Sequence, residues 1–406
     1  MRDAMDEVAE RRPILFLGGI FTPQQIGFVV AHSKGVVQNA ADGFQKSLIS
    51  GLSAYGPVTV VNLPFVGSYP QMFDLKTFPG TNEIIAPNIQ VVGQSFKLSR
   101  LTKLFSRMIG ALKGLWRADP SRRSTIVIYS AHLPFLVAAL LYRLVFRNSR
   151  TCLVLPDFPE FMGEGGRLYT IAKAVESRIF YVLARRIDIF VVLTRFMAER
   201  LKLDAGRYVV VEGIASDTGA PENEVDAGRR SFLYTGTLAR RYGIMQLLEA
   251  FQQVVTPGAE LWICGDGDSR DSIEQAAKDD PRIHFFGQVS RDEALSIQRR
   301  ATILVNPRPP TGEFTRYSFP SKTMEYMASG RPVLMHPLPG MPREYLPYFV
   351  PPASGIEGLA AAMEEMAQWS ESKLDSFGAR ARDFVLQEKN AVAQCQKIED
   401  LITSVR

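Results

Sequence analysis

The chain has 406 residues, 46% hydrophobic and 22% charged, which is long enough for two domains and excludes a disordered protein. Three scattered cysteines and four histidines argue against a zinc site and favour a reducing compartment. The acidic segment 1–7 is unlike a signal peptide, and no run reaches the ~18 apolar residues that span a bilayer. We therefore predict a cytoplasmic protein.

The formal net charge of +5 is unevenly distributed. Region 97–187 contains 16 Lys or Arg and five Asp or Glu, a net charge of +11, and the rest of the chain is acidic. A basic segment of this size favours an anionic partner. We therefore predict that region 97–187 contacts an anionic membrane surface.

The first half of the chain alternates short buried strands with helices. A strand over 13–19 ends in Gly18 and Gly19, and Asn39 begins a helix over 39–55. The later predicted strands are 58–62, 89–92, 124–129, 151–155, 188–193 and 208–212, and the later helices are 98–116, one from 134, 168–185 and 196–203. This alternation predicts an α/β fold with a doubly wound parallel sheet.

The predicted helix 98–116 is amphipathic. Its apolar positions recur at helical spacing, and its basic positions lie on the other side. The apolar set is Leu98, Leu101, Phe105, Met108, Leu112 and Leu115, and the basic set is Arg100, Lys103, Arg107 and Arg117. One interpretation is a core helix with a solvated basic face. The other is a helix lying on anionic lipid, with Phe105 and Trp116 inserted.

Two polar residues follow predicted strands of this half. His132 comes just after strand 124–129, and Asp157 follows strand 151–155 in a Pro-Asp-Phe-Pro turn. Ligands of open α/β sheets gather at the carboxyl ends of strands. That position favours a functional His132, whereas Asp157 also has the simpler interpretation of a turn cap.

The second half repeats the alternation after a polar segment. Residues 216–229 are predicted to be a linker between an N-terminal domain 1–215 and a C-terminal domain 230–385, with a helix in 386–406 that packs back on the first domain. Four predicted strands end in small or polar residues. These residues are Gly236, Gly265 to Gly267, Gly287, and Asn306 to Arg308. Such a row of strand ends is typical of a nucleotide cleft.

The stretch Tyr317–Leu334 combines an anion site with an acid. Ser321 is predicted as the N-cap of a helix that stops at Gly330, with Lys322 in the first turn and Glu325 one turn later. Free amides, the helix dipole and the ammonium suit a phosphate. A carboxylate beside them suits hydroxyl groups on the same ligand, such as those of a ribose.

No GxGxxG, Walker A, GxSxG or HExxH motif occurs, but the ordered set resembles a known family. Residues 231–333, above all Phe319-Pro-Ser-Lys-Thr-Met-Glu-Tyr-Met-Ala-Ser-Gly330, resemble glycosyltransferase family 4 of bacterial surface-polysaccharide synthesis. The resemblance extends more weakly to segments 34–39, 155–160 and 192–199. It implies a GT-B fold, with two Rossmann-like domains facing a cleft. It also implies retaining transfer from a nucleotide-diphosphate sugar to a glycan or lipid-linked acceptor, without a permanent cofactor.

The resemblance also implies roles for single residues. Glu325 matches the family glutamate that holds the donor ribose, and His132 matches the histidine that contacts the transferred sugar. Tyr317 stands where the family has its first glutamate, and Glu313 is the candidate to replace it.

The family's phosphate clamp falls on Gly236, Thr237 and Gly243 without its basic residues. A cation must offset the diphosphate charge. The predicted donor-binding residues are therefore Gly236, Thr237, Arg240, Arg241, Gly265, Gly287, Arg308, Ser321 and Lys322. The acceptor side is expected near Gly18, Gly19, Asn39 and Asp157, and no metal ligand is predicted because no acidic pair is placed to hold one.

Three other functions remain open from the sequence. A nucleotide-sugar epimerase would share the fold, and Tyr317 favours a non-catalytic nucleotide-sugar-binding partner of an assembly complex. A nucleic-acid binder is disfavoured, since the basic face lacks the interleaved aromatic residues that stack bases.

Overall fold

The computed structural model describes residues 12–34, 39–162, 166–221 and 229–404. The chain forms two compact units, one running to Ile214 and joined by the segment from Ala391, the other spanning Ala215–Asn390. Segment 216–221 of the expected linker thus belongs to the second unit, and the expected domain end at 385 falls inside a helix that continues to Glu388.

The first unit is built on an eight-stranded sheet in the order β10-β9-β8-β7-β1-β2-β5-β4. All neighbours are parallel except β4 and β5, and β3 and β6 form a separate antiparallel pair. Runs such as Ile14–Gly18 are buried on both faces, which is why they are continuously apolar. The strands are β1 (Ile14–Gly18), β2 (Val58–Asn62), β3 (Thr77–Phe78), β4 (Asn82–Ala86), β5 (Ile89–Gly93), β6 (Phe96–Lys97), β7 (Thr125–Tyr129), β8 (Arg150–Leu155), β9 (Ile189–Val192) and β10 (Tyr208–Val210).

In the described part of this unit, six α-helices connect these strands. They are α1 (Pro23–His32), α2 (Asn39–Ser53), α3 (Lys103–Ala118), α4 (Leu133–Val145), α5 (Arg167–Ala184) and α6 (Arg195–Leu201). Helix α2 packs on the sheet face that carries Phe16, Val60 and Val127. Helix α3 lies on the other face, where Gly114 meets Val61, and α3, α4 and α5 lie side by side.

The second unit has a five-stranded parallel sheet in the order β13-β12-β11-β14-β15. Its strands are β11 (Arg230–Thr235), β12 (Ala259–Cys264), β13 (Ile283–Gly287), β14 (Ile303–Asn306) and β15 (Val333–Met335). Its helices are α7 (Ile244–Phe251), α8 (Arg270–Asp279), α9 (Arg291–Arg300), α10 (Ser321–Ala328), α11 (Gly355–Ala367) and α12 (Glu371–Glu388). The predicted doubly wound α/β class is therefore confirmed for both units.

The last helix, α13 (Ala391–Ser404), belongs to the first unit. Its Cys395, Ile398 and Ile402 join the core that α2 closes. A Cβ at Gly51 of α2 would lie 2.2 Å from the Ala391 carbonyl oxygen, so only glycine permits this close approach.

Strand order reverses once in each sheet, beside the first strand of each unit. In the first unit, β1 lies between β7 and β2, and in the second, β11 lies between β14 and β12. The crevice at such a reversal is where open α/β sheets bind ligands. Gly18 ends β1 and His132 follows β7 at the first reversal, and Gly236 and Asn306 lie at the second.

Helix α3 differs from its prediction in start and orientation. It begins at Lys103, not at position 98, because Phe96–Lys97 forms strand β6. Arg107 is buried and Lys103 is half-buried, whereas Leu101 and Phe105 are 94% and 63% exposed. At these positions the interpretation of a core helix with a solvated basic face is therefore wrong. The physical reason is a cluster of loop carbonyls and aromatic rings that accepts the two cations.

Within the described residues, no helix is both long enough and apolar enough to cross a membrane.

Candidate functional site

Helix α10 is fixed against the end of β11 by a buried tyrosine. The Tyr326 hydroxyl accepts a hydrogen bond from the Thr235 amide at 2.8 Å, and the ring is fully buried. Gly330 adopts a φ of +76° and ends the helix, as predicted. This anchoring places Glu325 and Lys322, on the neighbouring turns, at the carboxyl edge of the sheet.

Glu325 belongs to a polar network at this edge. The Gln298 amide nitrogen donates to Glu325 Oε1 at 2.7 Å and to Thr235 Oγ1 at 3.1 Å. Arg291 lies 3.8 Å from the other carboxylate oxygen and is mostly exposed. The carboxylate is thus oriented by Gln298 while one oxygen faces a partly exposed cation. Such a group can accept hydrogen bonds from ligand hydroxyls.

Lys322 lies against the glycine turn that follows β11. A Cβ on Gly236 would lie 2.3 Å from Lys322 Cε, and a Cβ on Gly265 would lie 1.8 Å from the Gly236 carbonyl oxygen. Both glycines have φ values near +145°, which other residues rarely adopt. Gly287 closes the row, because its carbonyl accepts from the Gly265 amide at 2.7 Å. The three predicted strand-end glycines therefore lie together.

We call the glycine turns at Gly236 and Gly265, together with the start of α10, the cradle. The Lys322 ammonium is the cation of this cradle. Burial lowers its pKa, and nearby Glu325 opposes that shift. In the described part of the chain, its ammonium has no hydrogen-bond or ion-pair partner within 4.0 Å. A half-buried ammonium without an ion-pair partner is suited to an incoming anion.

The start of α10 differs from its prediction in one detail. Pro320, not Ser321, is the N-cap, and Ser321 is the first helical residue, without a capping hydrogen bond from its side chain. The fixed φ of proline sets the helix entry, and the Pro320 carbonyl accepts from the Thr323 amide at 2.9 Å. The amides of Ser321 and Lys322 have no acceptor among the described residues, which leaves them for an anion.

Two of the three candidate arginines, Arg241 and Arg308, lie beside the ring of Tyr242. Arg308 stacks between Tyr242 and Phe314 at about 5 Å and donates to Ser318 Oγ at 3.1 Å. Arg241 contacts the same Tyr242 ring, at 5.1 Å. The structure therefore gathers Arg241 and Arg308 around one tyrosine.

Arg240 and Thr237 take other positions in the loop after β11. The backbone amide of Arg240 donates to Asp268 at 3.1 Å, and its side chain is exposed. Thr237 is also exposed, and its carbonyl accepts from Tyr234. Neither side chain is drawn into the cluster around Tyr242.

Tyr317 and Glu313 come together in the loop before α10. A short helical turn, Glu313–Arg316, brings the Tyr317 hydroxyl 3.4 Å from Glu313 Oε1. Glu313 is exposed and Tyr317 half-buried. Glu313, the candidate to replace the family's first glutamate, thus lies beside Tyr317, which stands in that glutamate's place.

His132 lies at the end of β7 and contacts a buried arginine. Arg107 Nε donates to His132 Nε2 at 3.0 Å, while the Arg107 guanidinium also donates to the Leu63 and Pro64 carbonyls. Burial lowers the pKa of His132 well below its usual value, and the positive charge of Arg107 lowers it further. His132 is therefore a neutral imidazole at physiological pH.

The predicted acceptor-side residues are less closely grouped. Gly18 and Gly19 are buried, and the Gly19 amide donates to Gln45 at 2.8 Å. A Cβ at Gly19 would lie 2.3 Å from the Leu63 carbonyl oxygen, so close packing explains this glycine. Asp157 is exposed beyond β8. The side chain of Asn39 lies outside the described residues.

Sequence reasoning missed Gln298 and Arg107. Gln298 is on an otherwise polar helix, where its pattern predicts nothing, and the helical spacing places Arg107 on a basic face opposite the apolar positions. Neither role has a local signal, because both depend on contacts between distant segments. Within the described residues, no group of three or more His, Cys, Asp or Glu side chains is placed to hold a metal ion.

Residues 229–368 match the family described as glycosyl transferases group 1. The match covers the sheet, the glycine row and α10. The chain is a glycosyltransferase. This favours transfer over the epimerase and binding-partner alternatives. A probable glycosyltransferase of Pseudomonas aeruginosa, WbjE, is 26% identical over 335 residues, covering 76% of this chain and 79% of that protein.

Solved structures share the architecture of the glycosyltransferase at low sequence identity. HepE (Alr3699) of Anabaena, solved in complex with UDP, has a TM-score of 0.61 at 15% identity, covering 97% of this chain and 100% of that one. Sucrose-phosphate synthase of Thermosynechococcus elongatus has a TM-score of 0.65 at 16% identity, covering 97% and 99%. These likenesses confirm the GT-B fold expected from the sequence.

Proposed function

We propose that the protein transfers a sugar, with retention of configuration, from a nucleotide-diphosphate sugar to a glycan or lipid-linked acceptor in surface-polysaccharide synthesis. The carrying observation is the cradle in which Lys322, Gly236 and Gly265 adjoin Glu325. UDP bound to HepE and the likeness to WbjE support this assignment.

The donor would occupy the cradle with its diphosphate at the start of α10. Free amides of Ser321 and Lys322, the ammonium, and the guanidinium groups of Arg241 and Arg308 supply the positive charge. Glu325 would accept the ribose hydroxyls. Breakage of the anomeric C–O bond leaves charge on the diphosphate, and fixed donors stabilise that charge without reorganisation. These cations would offset it without a metal ion.

Within the second unit, Glu313 and Tyr317 would contact the transferred sugar, and within the first unit His132 would contact substrate. Glu313, paired with Tyr317, would take the place of the family glutamate as an acceptor for sugar hydroxyls. The neutral imidazole of His132 would serve as a donor. The acceptor would bind to the first unit, near the carboxyl ends of its strands.

Replacement of Glu325 tests the donor site. We expect Glu325→Ala to lower kcat/KM at least about 100-fold, since charged hydrogen bonds to a ligand contribute about 1.5–3 kcal/mol each and the ribose offers two hydroxyls. Turnover of UDP-, GDP- and ADP-sugars and calorimetric affinity for the free nucleotides are the measurements. Exposed Glu249→Ala is the matched control. Equal nucleotide affinity and turnover in the Glu325 variant would refute the assignment.

We further propose that the first unit binds an anionic membrane through the outer faces of α3, α4 and α5. Large apolar side chains are exposed along all three helices. They are Leu101, just before α3, and Leu104, Phe105, Trp116, Leu141, Leu144, Val145, Tyr169, Ile171, Val175, Ile179 and Val182. The basic residues of region 97–187 give this apolar surface its charge complementarity with anionic lipid. Lys103 and Arg107 face inward and do not belong to it.

Vesicle co-sedimentation tests the surface. Wild-type protein should bind vesicles containing phosphatidylglycerol more strongly than pure phosphatidylcholine vesicles, and Phe105→Glu with Ile171→Glu should lose most binding. Val255→Glu, at an equally exposed position of the second unit, is the control and should bind like wild type. Binding unaffected by the double substitution would exclude this face. A change of oligomeric state instead would assign the face to a second copy.

A further inference from the structure

Arg107 occupies an unusual position for an arginine. It is 1% exposed, and in the described segments no carboxylate lies within ion-pair distance of it. Its guanidinium is surrounded by the rings of Phe65, Phe96 and Phe135, each 4.7–5.0 Å away. A buried charge without a counter-ion is costly, so an arginine at this position points to a role beyond packing.

All three nitrogens of the guanidinium are committed as donors. Nη1 donates to the Pro64 carbonyl at 2.7 Å and Nη2 to the Leu63 carbonyl at 2.8 Å, which orients the group from the loop after β2. Nε then donates to His132 Nε2 at 3.0 Å. Since arginine has no acceptor, His132 Nε2 must carry the lone pair.

The contact therefore determines the tautomer of His132. A ring whose Nε2 accepts is neutral with its proton on Nδ1, and protonation of Nε2 would set two N–H groups against each other. Among the described residues, Nδ1 has no hydrogen-bond partner. Phe65 and Phe135 contact the imidazole edge to face, at 5.6 and 4.7 Å, and restrict its rotation.

The backbone before His132 is held in a constrained conformation. Ser130 has a φ of +73°, in the left-handed region, while its amide donates to the Val154 carbonyl at 2.8 Å. Such strained residues persist where the surroundings fix them, and they concentrate at functional sites. The ring is thus fixed both from its backbone and from Nε2.

We propose that Arg107 is a positioning residue that holds His132 as the neutral Nδ1–H tautomer, so that His132 acts as a fixed hydrogen-bond donor to the substrate and not as a general acid or base. This rests on the proposed function for the substrate contact of His132, but the tautomer itself does not. Nδ1 already carries its proton and Nε2 is occupied, so neither nitrogen can accept a proton during transfer.

The charged groups facing His132 act in the same direction. Arg107 and Lys103 approach from α3 and Lys173 from α5, and all three disfavour the imidazolium. Lys103 anchors the same loop as Arg107 does, through the Val66 carbonyl at 2.6 Å and Ser68 Oγ at 3.3 Å. Lys103 does not hydrogen-bond to the imidazole, which makes it a matched control.

Nitrogen-15 NMR of His132 in the intact protein tests the proposal without any substrate. Wild type should show protonated Nδ1 and unprotonated Nε2 at pH 6.5, where an ordinary imidazole is half protonated. Arg107→Met should yield a mixture of tautomers and a pKa that moves up toward the ordinary value near 6.5. Lys103→Met should keep the wild-type tautomer. If Arg107→Met does not fold, Arg107→Lys, which keeps the charge but not the Nε donor, should show the mixed tautomers.

Activity separates the two proposals. With a working donor, Arg107→Lys should lower kcat about tenfold, and Arg107→Met should add an acid limb to the pH–rate profile that wild type lacks between pH 5 and 7. Protonated Nε2 in wild type, or a wild-type His132 pKa near 6.5, overturns the positioning role. The expected NMR result with full turnover in His132→Ala would instead preserve that role and refute the substrate contact.

Discussion

At the scale of single residues, the cradle contains a lysine, Lys322, that lowers the stability of the folded protein when no ligand is bound. Lys322 is half-buried against Gly236, and the loss of solvent around its ammonium outweighs the attraction of Glu325, so its pKa is lowered. At pH values below 10.5, the ordinary pKa of lysine, a lysine whose pKa is lowered by folding destabilises the folded state. The reason is that it stays charged in surroundings that disfavour the charge. Functional sites commonly carry such a stability cost.

Replacing Lys322 should therefore have opposite effects on stability and binding. Lys322→Met should raise the melting temperature of the free protein near neutral pH and lower the affinity for a nucleotide diphosphate about tenfold, the value of one charged hydrogen bond. In wild type, that affinity should fall as pH rises through the lowered pKa of Lys322, beginning below 10.5. Thermal unfolding and calorimetry with UDP, GDP and ADP are the measurements. A destabilised variant with unchanged affinity would contradict both expectations.

At the scale of elements, the glycines at the carboxyl ends of β12 and β13 are required for different reasons. Gly265 has a φ of +143° and no room for a Cβ, which would lie 1.8 Å from the Gly236 carbonyl oxygen. Gly287 has a φ of +68°, but no atom lies within 4 Å of its Cβ position. The first glycine allows two strand ends to touch, and the second needs only a left-handed turn.

This difference predicts unequal effects of alanine. Gly287→Ala should cost about 1 kcal/mol, the usual penalty of the left-handed conformation. Gly265→Ala should cost about 3 kcal/mol or more and should weaken nucleotide binding, because the Gly236 turn must move away from Lys322. Urea unfolding of the two variants gives the comparison. Equal losses of stability would show that the contact between the two turns is not required.

Helix α3 illustrates what periodicity does not reveal at this scale. Its apolar residues repeat correctly, but the repeat does not say which face meets the sheet. Small residues, Gly110 and Gly114, allow the close approach to β2, and Arg107 finds carbonyls from the loop after β2. The apolar residues at 101, 104 and 105 are left exposed as a result.

At the scale of the whole molecule, the last helix of the described residues, α13, packs in the core of the first unit, not of the second. Ile398 of α13 is fully buried in the core that includes Leu48 and Leu52 of α2. Residues almost 350 positions apart thus stabilise one unit. The second unit has separate cores, built around β11 and α10.

This arrangement predicts that a substitution in the last helix affects the first unit alone. Ile398→Asp should destabilise it by about 3 kcal/mol or more, since it buries an unpaired carboxylate. Val392→Asp, on the half-exposed side of the same helix, should cost less than about 1 kcal/mol. Denaturation monitored by hydrogen exchange resolves the units. Loss of protection in β11 and β12 rather than in β1 and β2 would contradict the assignment.

The sequence by itself determined the α/β class, most strands and helices, and the strand-end glycines. Their signals are local: buried apolar runs, helical spacing and breaks at glycine or proline. It also placed Lys322 and Glu325 on neighbouring turns of one helix. Only the tertiary structure decided that Gln298 orients Glu325, that Arg107 contacts His132, and that α3 turns its cations inward. Each of these depends on which segments meet across the sheets, and chain-local patterns carry no information about such long-range contacts.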